Sequence, residues 1–138
     1  MLKRFILVLA QLSILSFSVQ ATELGDGFTA FKAGNYEKAL RLWLPIEKKD
    51  TEDAQYNIGI LYMKGLGVEK NEKTAFIWYK RAAANGNTDA MYNLGTIYNQ
   101  GRVVVRSTKD AVKWWKKSAE LGNASGQFNL GVVYADRK

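Results

Sequence analysis

"DAQYNIGILYMKGLGVEKNEKTAFIWYKRAAANGN", residues 53–87, is followed by "DAMYNLGTIYNQGRVVVRSTKDAVKWWKKSAELGN", residues 89–123, in which the same pattern returns 36 positions later. The register holds residue by residue. Ala54 returns as Ala90, Asn57 as Asn93, Gly59 as Gly95 and Tyr62 as Tyr98. Further along, Gly65 pairs with Gly101, Val68 with Val104, Lys73 with Lys109 and Ala75 with Ala111. Trp78 pairs with Trp114, Ala83 with Ala119 and Gly86 with Gly122. The last stretch, "GQFNLGVVYADRK" at 126–138, keeps the register through Asn129, Gly131 and Tyr134. A fixed period of this length is the mark of a repeat architecture, so the fold is read from the unit.

Each unit holds two helical patterns. In the first, Ala54, Ile58, Leu61 and Tyr62 share a face at helical spacing. Gly59 lies beside that face, where a missing side chain lets a neighbouring helix approach closely. "KGLGVEKN" interrupts with two glycines. The second pattern puts Ala75, Tyr79, Ala82 and Ala83 on one face, and "NGN" at 85–87 ends it as a glycine C-cap does. Two helices and a short loop make an αα-hairpin, which buries its apolar face only by stacking on neighbours. The expected fold class is all-α, a right-handed α/α solenoid of stacked helical hairpins with 36-residue repeats.

Upstream, "FTAFKAGNYEKALRLWLPIEKK" fits more loosely: a helix to about Ala33, a turn at Gly34-Asn35 and a second helix from Tyr36. Ala39, Leu42 and Trp43 precede Ala75, Trp78 and Tyr79 by one period. Pro45 has no backbone N–H to donate and should kink or shorten that helix.

The succession Ala, Tyr-Asn-Leu-Gly, Tyr, Gly-x-Gly-Val, Lys-Ala, Trp-Tyr, Lys-Ala-Ala, Gly resembles the Sel-one-like (Sel1-like) repeat, a relative of the tetratricopeptide repeats. Residues 53–88 match almost throughout. In residues 89–124, Val103 replaces the second loop glycine, Trp115 the tyrosine and Ser118 an alanine. A β-branched residue resists positive φ, so the second loop is where the backbone is least defined by the pattern. Residues 22–52 read as an atypical tetratricopeptide-like hairpin, and 125–138 as a truncated repeat or a C-terminal capping helix. The resemblance implies a non-catalytic binding scaffold for a protein or peptide partner. Cysteine-rich exported members are linked to β-lactam binding; this chain has none of their cysteines, and that activity is not carried over.

"MLKR" is a basic start, "FILVLAQLSILSF" an apolar run, and Val19 and Ala21 occupy the small-residue positions of a cleavage site. Residues 1–21 therefore read as a secretory signal peptide, and the chain as exported, periplasmic or secreted, with no membrane span after cleavage. With no Cys and no His in 138 residues, disulfides, thiolate or imidazole metal sites, cysteine nucleophiles and Ser-His-Asp chemistry are excluded. Glu69, Glu72 and Asp110 form no catalytic pair. The expectation is no enzyme, no cofactor and no metal. A formal charge of +7 suggests anionic partners, but export argues against nucleic acid.

Two surfaces are candidates. First helices usually line the inner side of stacked hairpins. Opposite Ile58 on the helical wheel lie Ile60, Met63 and Lys64; their equivalents are Thr96, Asn99 and Gln100, then Val132. These differ between copies while the packing positions agree, as in a common scaffold with a tailored surface. The other surface is a basic ridge on the second helices, Lys80, Arg81, Lys109, Lys113, Lys116 and Lys117, suited to an anionic envelope polymer or glycan. Trp78 and Trp114 border it. Asn57, Asn93 and Asn129 read as amides that satisfy backbone groups between helices, and Tyr79 and Trp115 as core. The tail has too many apolar groups for one buried stripe, which leaves an edge for a partner or for self-association through the C-terminal helix.

Overall fold

The computed structural model describes residues 18, 19, 21–46 and 51–135. The expected leader lies mostly outside them. The described residues form two units, one ending at Ile46 and one beginning at Thr51. Every regular element among them is helical.

In the first unit, α1 covers 21–32 and α2 is Tyr36–Trp43. Gly34 makes the turn, and the Asn35 side chain accepts from Lys38 N–H at 3.2 Å. α2 has 8 residues, against 13 in each later second helix. It stops at Trp43, two residues before Pro45, so the proline shortens the helix rather than kinking it. Trp43 is buried edge-on to Phe28, with ring centroids 5.0 Å apart, and its indole N–H donates to the Leu24 carbonyl at 3.2 Å.

The second unit holds α3 (Glu52–Lys64), α4 (Glu72–Ala84), α5 (Thr88–Gln100), α6 (Thr108–Glu120) and α7 (Ala124–Ala135). Each packs on the next in chain order, giving an all-α solenoid of hairpins. Ala54, Ile58 and Leu61 are buried on α3, and Ala75, Tyr79, Ala82 and Ala83 on α4. Ala90, Leu94 and Ile97 repeat this on α5, and Ala111, Trp115 and Ser118 on α6. Tyr62 is only half-buried, because it sits at the edge of its stripe.

Small residues set the helix separations. A Cβ on Gly59 would lie 2.6 Å from the Tyr79 ring, and one on Gly95 2.5 Å from the Trp115 ring. The first helix of each hairpin thus presses bare backbone against an aromatic face of the second. α7 continues the register, but a Cβ on Gly131 would meet nothing within 4 Å. Of α7 only Gly126 is buried, while Phe128, Val132 and Tyr134 are 71%, 45% and 51% exposed.

Caps join one repeat to the next. Asn87 accepts from Ala90 N–H at 2.8 Å and donates its amide to Asp53 at 2.8 Å. One period later, Asn123 accepts from Gly126 N–H at 3.0 Å and donates to Asp89 at 2.7 Å. A single side chain therefore starts α5, and another α7, and ties each to the first helix of the preceding hairpin. Asn87→Ala removes both bonds at a buried site, and a loss of about 2 kcal/mol is expected. The urea midpoint measures it; an unchanged midpoint would show that the bridge contributes nothing.

The loops close alike despite Val103. Gly65 and Gly101 take left-handed φ of 70° and 69° to end α3 and α5. Asn71 N–H then donates to the Tyr62 carbonyl at 2.8 Å, and Ser107 N–H to the Tyr98 carbonyl at 3.0 Å. Gly67 also has positive φ, but its counterpart Val103 does not. The second loop reaches the same end points by another backbone path, as a β-branched residue requires. Among the described residues no helix is long and apolar enough to cross a membrane.

Candidate functional site

Residues on a first helix that face away from its hairpin partner point into the space between successive hairpins. That space forms two adjoining clefts. One, of about 370 Å³, is lined by Ile60, Met63 and Lys64 of α3 and Thr96 and Gln100 of α5, with Tyr56, Tyr79 and Asn93. The other, of about 550 Å³, is lined by Thr96, Asn99 and Gln100 of α5 and Val132 of α7, with Tyr92, Arg106, Trp115 and Asn129. Thr96 and Gln100 belong to both, so the clefts make one groove over α3, α5 and α7. All seven first-helix candidates from the sequence line it.

The groove also recruits residues that helical spacing did not single out. Tyr56 and Tyr92 occupy equivalent repeat positions, and that recurrence was the signal available for them. Arg106 comes from a loop, and Trp115 reaches the groove although it is 4% exposed. Asn93 and Asn129 were expected to serve backbone groups. Both line clefts, and the Asn93 amide acts on the Tyr56 and Tyr79 phenols, where it favours the ionised forms and partly offsets the effect of burial.

The electrostatics follow from burial. Desolvation holds the Tyr79 phenol well above the usual tyrosine value, and the Tyr56 ring, 5.8 Å away, adds to the effect. Tyr56 is raised first by burial and then by the Asp89 carboxylate. Both stay protonated donors through the physiological range. No Asp or Glu lines either cleft, while Lys64 and Arg106 do.

The ridge candidates lie apart from this groove. Lys80 and Arg81 are exposed on α4, and Lys109, Lys113, Lys116 and Lys117 on α6. Arg81 stands 4.7 Å from the Trp78 ring centre and Lys117 5.0 Å from that of Trp114. Those half-buried tryptophans are thus roofed by cations of their own helices. Lys116 approaches Glu120 at 3.8 Å, a pair of little energetic weight at such exposure. A separate ion cluster ties the loops: Lys70 and Arg102 both reach Glu72, and the hydrogen bond from Lys70 is the main cause of its lowered pKa.

Known proteins share this architecture. The Sel1 repeat family model matches residues 52–87 and 88–123. A Sel1 repeat protein from Oxalobacter formigenes is 37% identical, with a TM-score of 0.76, over 80% of this chain and 46% of its own. The protective antigen c5321 of uropathogenic Escherichia coli, which displays an SLR fold, is 32% identical, with a TM-score of 0.77, over 91% of this chain and 28% of its own. Helicobacter pylori cysteine rich protein B is 27% identical, with a TM-score of 0.57, over 72% of this chain and 70% of its own. The chain thus spans less than half the length of the first two. Repeats of this kind are generally non-catalytic and mediate protein–protein interaction. With two matched units in register and hairpins stacked as in these structures, the chain belongs to the Sel1 repeat family.

Proposed function

We propose that the chain is an exported, non-catalytic adaptor that holds a segment of a partner protein in the groove over α3, α5 and α7. One observation carries the reading. The positions that differ between repeats, Ile60, Met63 and Lys64 against Thr96, Asn99 and Gln100, line one continuous groove. Of the positions that agree, Gly59 and Gly95 are occupied by packing, while Tyr56, Tyr92, Asn93 and Asn129 give the groove its common lining. A scaffold tailored at its groove has this distribution. The test uses the purified protein as bait in an envelope extract from its source cell. Proteins retained by the wild-type chain and lost with Met63→Glu and Gln100→Glu support the groove; an identical retained set sinks it.

Export rests on the basic start, apolar run and small-residue site of residues 1–21. Protein recovered from the periplasmic or extracellular fraction should begin at Thr22 by N-terminal sequencing. A chain that keeps Met1 and stays in the cytoplasm contradicts export.

A second reading, an anionic polymer held on the α6 ridge, is favoured by the four exposed lysines there. It predicts binding that weakens steeply from low to physiological salt and disappears in Lys113→Glu with Lys117→Glu.

A further inference from the structure

We infer that the groove selects an extended peptide segment carrying acidic side chains. This rests on the groove-binding reading above and names the chemistry of the occupant.

The first support is charge. Lys64 lines one cleft and Arg106 the other, and neither cleft contains an Asp or Glu. Both cations are exposed, and neither takes part in an ion pair among the described residues. Lys70 and Arg102, in the loops of the same unit, are instead matched by Glu72. Asp89, whose charge reaches Tyr56, lines neither cleft and accepts from the Asn123 amide at 2.7 Å.

The second support is the acceptor chemistry that the cations require. Trp115 walls the cleft that holds Arg106, and its indole nitrogen is buried against Gly95 without a hydrogen-bond partner. The indole therefore contributes an apolar wall, and the charge in that cleft comes from the Arg106 guanidinium. A carboxylate offers acceptors only, and it complements the guanidinium.

The third support is layout. The two cations stand in separate, adjoining clefts, so a small anion satisfies one of them and a chain with spaced acidic groups satisfies both. Neighbouring helices pack about 8–10 Å apart and an extended chain advances about 3.3 Å per residue, so three first helices accommodate about six residues.

The test presents the immobilised full chain with a pool of randomised decapeptides, acetylated and amidated so that every carboxylate is a side chain, at physiological ionic strength. Retained peptides should be enriched in Asp and Glu at two spaced positions. Lys64→Glu with Arg106→Glu should abolish the enrichment, and Lys113→Glu with Lys116→Glu on α6 should leave it intact. Retention without acidic bias, still lost on changing Met63 and Gln100 to Glu, overturns the acidic selection and leaves groove binding standing. Acidic enrichment that only the α6 changes abolish moves the contact to the ridge and overturns both. Failure to retain any peptide also overturns both.

Discussion

Gly95→Val is expected to destabilise the protein by about 3 kcal/mol, whereas Gly131→Ala, at the same repeat position one period later, is expected to be neutral or to stabilise by up to about 1 kcal/mol. The two glycines sit in equivalent helices of one register. They differ in what stands over them. A Cβ on Gly95 would lie 2.5 Å from both Cδ1 and Nε1 of Trp115 and 3.0 Å from the Ala111 carbonyl. The ring is buried and the carbonyl belongs to helix backbone, so neither yields without moving α6 against α5. Valine adds two further methyl groups to that overlap. At Gly131 the space is open, and only the gain in helix propensity remains. Urea melts of the two variants check this. Equal losses at both sites would mean that glycine acts here through backbone flexibility and not through close approach.

Trp115→Ala is expected to cost about 4 kcal/mol. The side chain is 4% exposed and closes the hairpin of α5 and α6 from within, so its removal leaves a cavity beneath Gly95. Combining Gly95→Val with Trp115→Ala sharpens the expectation. With the indole gone, the introduced valine side chain enters the vacated space, and the double variant should lose about 2 kcal/mol less than the two single losses together. Strict additivity, measured by the same melts, would show that ring and glycine do not share one contact. The indole also walls the groove, so Trp115→Ala should weaken partner binding even under conditions where the chain remains folded.

The sequence made the scaffold legible because its signals are local or periodic. Gly59 beside an apolar stripe pointed to a close approach, and Pro45 pointed to the early end of α2. Tyr79 and Trp115, placed with the alanines, are core. The first-helix half of the groove was equally legible: Ile60, Met63 and Lys64 fall opposite Ile58 by helical geometry alone. The other half was not. Arg106 enters from a loop whose backbone path could not be derived once Val103 replaced a glycine. Trp115 is at once core and groove wall, a double role that a single helix face does not reveal. Asn93 looked like a partner for backbone groups. The phenols it acts on, Tyr56 and Tyr79, belong to the preceding hairpin, and only the stacking of hairpins brings them near the amide. Tertiary neighbours separated by a repeat decide these contacts, and no spacing within one helix encodes them.

Site-specific photo-cross-linking in the source cell tests the proposed function most directly. A photoreactive side chain placed at Gln100, which belongs to both clefts, should trap a partner protein. The same group at Lys113, exposed on α6, should not. Adducts at Gln100 that disappear with Lys64→Glu and Arg106→Glu are the predicted result. Adducts confined to Lys113, or none at Gln100, would contradict binding through the groove.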